Sequence, residues 1–137
     1  MAALANATID DLQALASRES LPDHSALRAP ETGLVMVRGR IGGTGAPFNV
    51  GEMTVTRCSV RLADGTIGHS YVAGRSGEHA RLAAILDAML QHPDHGLALF
   101  DRVIVPIETR HEARLRERSA KSAATKVDFF TMVRGDV

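Results

Sequence analysis

At 137 residues, with 45% hydrophobic but only 4% aromatic residues and no tryptophan, the chain is sized for one domain whose core is built from Ala, Leu, Val and Ile. Sixteen basic residues balance sixteen acidic ones, so the total charge favours neither nucleic acid nor an anionic membrane. No apolar run approaches the roughly 20 residues that span a bilayer, the start lacks a signal peptide's hydrophobic stretch, and the single cysteine, Cys58, cannot form an intrachain disulfide; together these predict a soluble cytoplasmic protein.

Residues 1–137 read as a single domain in four stretches: an N-terminal helical segment over 1–31, antiparallel hairpins over 32–75, a helix over 76–92, and a strand, basic helix and hydrophobic tail over 102–137. Thr8 with Asp11 three residues on resembles a capping box, and Ile9, Leu12 and Leu15 follow at helical spacing. Pro22 and Pro30 bracket a loop or one more short helical piece. Strand character begins at Leu34, with Val35, Val37 and Ile41 set against Arg38 and Arg40, and a turn-rich loop follows from Gly42 to Pro47. In the next strand the apolar parity shifts from Met53 and Val55 to Cys58, Val60 and Leu62, which predicts a bulge near Thr56 and Arg57.

Asp64-Gly65 is a strong hairpin signal, and a two-residue type I′ turn there would pair Leu62 with Ile67, Val60 with His69 and Cys58 with Tyr71 on one apolar face. Ser76 caps a helix over residues 77–91 with Leu82, Ile85, Leu86, Met89 and Leu90 as its apolar stripe, and His92-Pro93 ends it. Residues 103–107 are β-branched and form a candidate fourth strand, which Pro106 confines to an edge. Residues 108–124 form an Arg- and Ala-rich helix with little apolar surface. The expected fold is α+β, an antiparallel sheet of about four strands with helices packed on one side.

The chemistry-bearing groups divide as follows. The glycines at 42, 43 and 45 suit a structural hairpin loop better than a phosphate cradle, because nucleotide-binding glycine loops lead into helices and this one leads into a strand. Cys58 and His69 would be diagonal neighbours on one face, which reads as a buried thiol beside a satisfied histidine rather than a nucleophile and base. His92, Asp94 and His95 make a short cluster, but zinc needs three or four ligands and Cys58 is committed to the sheet. Arg38, Arg40, Arg57, Arg61 and Arg75 would gather near one sheet face, either as a solvated surface or as a contact for an acidic partner or a polyphosphate. The tail carries Val127, Phe129, Phe130, Met132, Val133 and Arg134; termini are normally polar, so these side chains either fold back on the domain or insert into a neighbouring subunit.

The stretch Arg40-Ile41-Gly42-Gly43-Thr44-Gly45, the segment Thr56-Arg57-Cys58-Ser59-Val60-Arg61-Leu62 with Asp64-Gly65, the run Gly68-His69-Ser70-Tyr71-Val72-Ala73-Gly74-Arg75, the helix end Asp87-Ala88-Met89-Leu90-Gln91 and residues 127–136 together resemble the PhnG family, the G subunit of the bacterial carbon-phosphorus lyase core complex. The likeness runs from about Glu31 to the end. It implies a role in phosphonate use: the G, H and I subunits act with an L protein to replace the adenine of ATP by a phosphonate, giving a ribose 1-phosphonate 5-triphosphate. A J subunit, a radical enzyme with an iron-sulfur cluster, then breaks the carbon-phosphorus bond. The same likeness places the nucleosidase-type chemistry on the I subunit, the expected direct contact, and gives this chain no catalytic residue, no metal and no cofactor of its own, ATP being a substrate of the complex. The tail residues Phe129, Phe130, Met132 and Arg134 are then the expected docking element, and the five arginines the expected partner or anion contact.

Overall fold

A computed structural model describes residues 1–125. Two short helices open the chain, α1 (Ala2–Asn6) and α2 (Ile9–Ala16). The Thr8 hydroxyl caps α2 by accepting from the Asp11 amide at 3.1 Å, and Leu12, Leu15 and Ala16 are its buried face. A strand β1 (His24–Arg40) then leads through a 3-10 turn (Ile41–Gly43) into β2 (Pro47–Leu62), and β3 (Ile67–Ala73) completes an antiparallel sheet in the order β1-β2-β3. Helix α3 (Gly77–Leu90) packs on the β2 and β3 side, α4 (Gly96–Leu99) and a π-helical turn (Phe100–Ile104) follow, and α5 (Val105–Ala124) is the last described element.

The α+β class, the antiparallel pairing and the helices on one side are as expected, but among the described residues the sheet has three strands rather than four. Residues 103–107, expected as a strand, instead continue from the π turn into α5. Val103, Ile104 and Ile107 are all buried at i, i+1 and i+4, a helical pattern that overrides their β-branched preference. Pro106 sits in the first turn of α5 directly after the π turn, the kind of break in the helical hydrogen-bond ladder that goes with a proline in a continuing helix. Strand β1 also begins at His24, inside the stretch expected to be helical, and it tolerates Pro30 because it is the sheet's edge.

The Asp64-Gly65 hairpin is present, with a register one residue away from the expected one. The Leu62 amide donates to Thr66 O at 2.9 Å and the Gly65 amide to Leu62 O at 3.0 Å, so the loop has three residues and ends on a left-handed Gly65 (φ 90°). A type I′ turn would need positive φ at Asp64 as well, and no non-glycine residue among those described adopts it. Asp64 instead accepts the Thr66 amide on its side chain at 2.8 Å. Arg61 therefore pairs with Ile67, Ser59 with His69 and Arg57 with Tyr71. Because strand side chains alternate, the slip turns His69 and Tyr71 outward and brings Gly68, Ser70 and Val72 onto the buried face with Cys58, Val60 and Leu62. The expected bulge at Thr56 and Arg57 is also displaced: the shifts between Ala26 and Arg28 and between Arg28 and Glu31 put the extra residues in β1, while β2 stays in step with β3.

Helix α3 is the centre of the core. Ser76 caps it as expected, and Leu82, Ile85 and Leu86 are buried, with Met89 and Leu90 packed at the margin. Four alanines, Ala80, Ala83, Ala84 and Ala88, let neighbouring backbone approach. The closest approach is at Gly68, where a Cβ would lie 2.0 Å from Ala84 O and 2.6 Å from the Ala88 amide nitrogen. Ser70 donates to Ala80 O at 2.6 Å, Asp87 accepts the His69 amide at 3.0 Å and Gln91 donates to Ile67 O at 3.0 Å, so three side-chain contacts fix β3 along the helix. Buried His79 donates to Leu4 O at 2.9 Å and pins α1 to α3.

Candidate functional site

The sheet face opposite α3 is uncovered among the described residues, and along β2 it carries Arg57, Ser59 and Arg61 opposite Tyr71, His69 and Ile67 of β3. Arg57 is not a free cation. Its guanidinium donates to Glu31 at 3.1 Å, and Arg28 reaches the same carboxylate oxygen at 2.8 Å. Hydrogen bonds from Arg28, then from Arg57, hold the Glu31 carboxyl below its ordinary range. Arg61, Arg38 and Arg75 form no ion pair among the described residues.

The five arginines fall into three places. Arg57 and Arg61 lie on the outer face, Arg75 lies in the turn between β3 and α3, and Arg38 and Arg40 lie where the β1–β2 ribbon runs past the end of β3. From Arg61 to Pro47, the partner of Arg40, β2 runs 14 residues, or about 45 Å at a strand's rise. No single small ligand spans that length. Arg38 and Arg40 do share a shallow depression with Gly39, Gly43 and Pro47, although Arg40 also donates to Gly45 O at 2.9 Å and braces the glycine loop. Gly42 and Gly43 have φ of 60° and 81°, and the loop turns strand into strand as the structural reading requires.

Cys58 and His69, expected on one face, lie on opposite faces of the sheet. The thiol is 1% exposed, donates to Arg28 O at 3.3 Å, and is pushed up in pKa by burial, which opposes thiolate chemistry. His69 Nδ1 instead meets Ser59 Oγ at 2.9 Å, but on a sheet face where no third side chain among the described residues holds the ring; it is a cross-strand pair, not a catalytic dyad.

An apolar cleft of about 440 Å³ lies at the opposite end of the molecule from Arg38 and Arg40, lined by Leu62, Met89, Ala98 and Leu99. Its polar groups are largely committed to one another. Arg102 on the π turn grips Glu19 through two hydrogen bonds of 3.0 and 3.2 Å, and His92 stacks on His95 with ring centroids 4.9 Å apart. His92 Nδ1 accepts the Asp94 amide at 3.3 Å, and no group of three or more possible metal ligands occurs among the described residues. The expected docking residues Phe129, Phe130, Met132 and Arg134 lie outside the described residues.

Two features escaped the sequence reading. Asp11 receives both Arg110 and Arg114, the latter at 3.1 Å, which fixes the direction of α5. Burial alone would raise the Asp11 carboxyl, but hydrogen bonds with Thr8, Arg110 and Arg114 outweigh it and pull the pKa from 3.8 to about 2. The second is that seven of the fourteen exposed large hydrophobic side chains among the described residues belong to the ribbon beyond β3: Leu34, Met36, Val37, Ile41, Phe48, Val50 and Met53. A count of consecutive apolar positions could have flagged the ribbon, but only the third strand's short length reveals that nothing among the described residues covers it.

Among the described residues no nucleophile, base and orienting group converge, and no helix is long and apolar enough to cross a membrane. Comparison with known proteins supplies what the geometry lacks. The family described as "Phosphonate metabolism protein PhnG" matches residues 1–135. A protein of Rhizobium meliloti (strain 1021), "Alpha-D-ribose 1-methylphosphonate 5-triphosphate synthase subunit PhnG", is 46% identical over 137 residues, an alignment covering 99% of this chain and 87% of the relative. The chain belongs to the PhnG family of phosphonate metabolism proteins.

Proposed function

We propose that this chain is a non-catalytic subunit of an alpha-D-ribose 1-methylphosphonate 5-triphosphate synthase, acting in the cytoplasm with H, I and L proteins to transfer ribose triphosphate from ATP to a phosphonate with release of adenine. The observation that carries the proposal is the 46% identity, across essentially the whole chain, to a relative that bears that subunit's name. The lack of a converging catalytic set among the described residues supports placing the chemistry on a companion chain, with the I subunit as the direct contact and the J subunit in the same assembly. The chain needs no cofactor of its own in this scheme, and ATP is the substrate of the complex. Mixing the H, I and L proteins with ATP and methylphosphonate should release adenine only when this chain is added. Equal release without it would refute the assignment.

Within that role the tail residues Phe129, Phe130, Met132 and Arg134 are proposed to dock on the I subunit, since aromatic, Met and Arg side chains are the types enriched in interfaces. Deleting residues 127–137 should abolish co-purification with the I subunit while leaving the melting curve of the isolated chain cooperative. Retained co-purification would move the docking element elsewhere.

A second reading, a module that binds a polyphosphate through its arginines, is favoured by the depression that Arg38 and Arg40 share. Guanidinium groups there could form charge-assisted hydrogen bonds to a triphosphate. Calorimetry with inorganic triphosphate tests it, and the absence of binding heat both alone and with the companion subunits would refute it.

A further inference from the structure

We propose that residues 34–54, the β1–β2 ribbon beyond β3, form an arm that a companion subunit encloses on both faces, through an apolar groove carrying carboxylates level with Arg38 and Arg40; this rests on the subunit reading above. Strand β3 pairs with β2 only as far as Val55, so from Leu34 to Arg40 and back from Pro47 to Thr54 the two strands have only each other among the described residues. At a strand's rise the arm extends about 20 Å. A two-stranded hairpin is marginal in water by itself, and among the described residues this one has open backbone edges on both sides.

Its side chains make the case sharper. Leu34 and Met36 alternate with Val35 and Val37, so both faces of the arm are apolar, and Leu34, Ile41 and Val50 are 62%, 76% and 61% exposed. A ribbon with one solvated face would alternate apolar with polar. A flat docking surface would cover only one of these faces; a groove closing over both covers all of it. The 21 residues of the arm are as many as one partner contributes to an interface of ordinary size.

The charges identify the class of occupant. The arm holds Arg38, Arg40 and Glu52 and no other charged residue. Arg38 has no carboxylate partner among the described residues and Arg40 reaches only a backbone oxygen, so an acidic groove complements the tip. A two-fold contact between copies would offer each pair of arginines only one carboxylate of the arm, Glu52, and so leave positive charge unpaired. Nucleic acid offers the negative charge but not a cover for seven apolar side chains.

The test uses the full chain assembled with its companion subunits. Ile41→Asp with Val50→Asp, and separately Arg38→Glu with Arg40→Glu, should each weaken assembly at least about tenfold, since an unpaired buried charge or a like-charge contact costs more than one decade in affinity. The charge reversal should also invert the salt dependence of assembly, because salt weakens the wild-type attraction but screens the variant's repulsion. Both variants should melt like the wild type when isolated, because the altered side chains are exposed in the free chain. Assembly of both at wild-type affinity would overturn the proposal. So would a lone chain that sediments as a dimer which these variants dissolve, since a second copy would then occupy the arm. If the wild type neither assembles with the companions nor supports adenine release, the subunit reading itself fails; if it does both and the variants match it, only the arm is wrong.

Discussion

Replacing Asp11 by Asn should destabilise the chain by about 2 kcal/mol at neutral pH, and by progressively less as pH falls below 4. Asp11 sits in the first turn of α2 and is gripped from α5 by Arg110 and Arg114. The fall of its pKa from 3.8 to about 2 corresponds to ~2.4 kcal/mol of linkage if taken whole. The two arginine side chains are 48% and 38% exposed, so solvent screening reduces that to about 1 to 1.5 kcal/mol. Loss of a negative charge at a helix N-terminus adds roughly 0.3 to 1 kcal/mol. For a chain of this size about 2 kcal/mol lowers the melting temperature by roughly 5 to 8 °C, measurable by circular dichroism. A carboxyl with a depressed folded-state pKa stabilises fully above its unfolded pKa of 3.8, and the contribution drains away as pH falls towards about 2. The gap between wild type and Asp11→Asn should therefore be constant from pH 7 to 5 and shrink between pH 4 and 3. A gap under about 0.5 kcal/mol at pH 7, the usual size of a neutral surface substitution, would refute the reasoning, as would a gap as large at pH 3. The functional stake is the direction of α5, which leads to the tail.

Other substitutions probe the core. Gly68→Ala drives a Cβ into the α3 backbone at Ala84 and Ala88, and should cost at least about 3 kcal/mol or leave the protein insoluble. Gly33→Ala meets nothing within 4 Å and should change stability by less than about 1 kcal/mol; similar melting temperatures for the two variants would contradict the close helix–strand contact. Cys58, buried and bonded to Arg28 O, should resist a thiol-reactive disulfide reagent at pH 8 until denaturant is added, then react fully. Rapid labelling of the native chain would show that this part of the sheet opens.

The family resemblance was legible in short runs such as the glycine loop and the Gly68–Arg75 stretch, because turn glycines and close contacts constrain sequence strongly. Helix α3 was legible for a different reason: a serine cap and a broad apolar stripe state one local preference with no competitor. The hairpin at Asp64-Gly65 was legible in existence but not in register, since a single backbone angle at Asp64 decides between a two- and a three-residue loop, and that choice turned His69 and Tyr71 outward. Residues 103–107 misled because a β-branched run with proline reads as an edge strand, whereas burial at helical spacing and the π turn directly before Pro106 favoured the helix. The arginines looked clustered because spacing along a strand carries no information about where the sheet ends. Likewise the apolar alternation of Leu34 to Val37 looks the same in sequence whether a third strand and a helix lie over it or not. Only the tertiary structure, in which β3 stops at Ala73 opposite Val55, leaves that ribbon bare among the described residues, and coverage is a property of which elements meet rather than of the residues they contain.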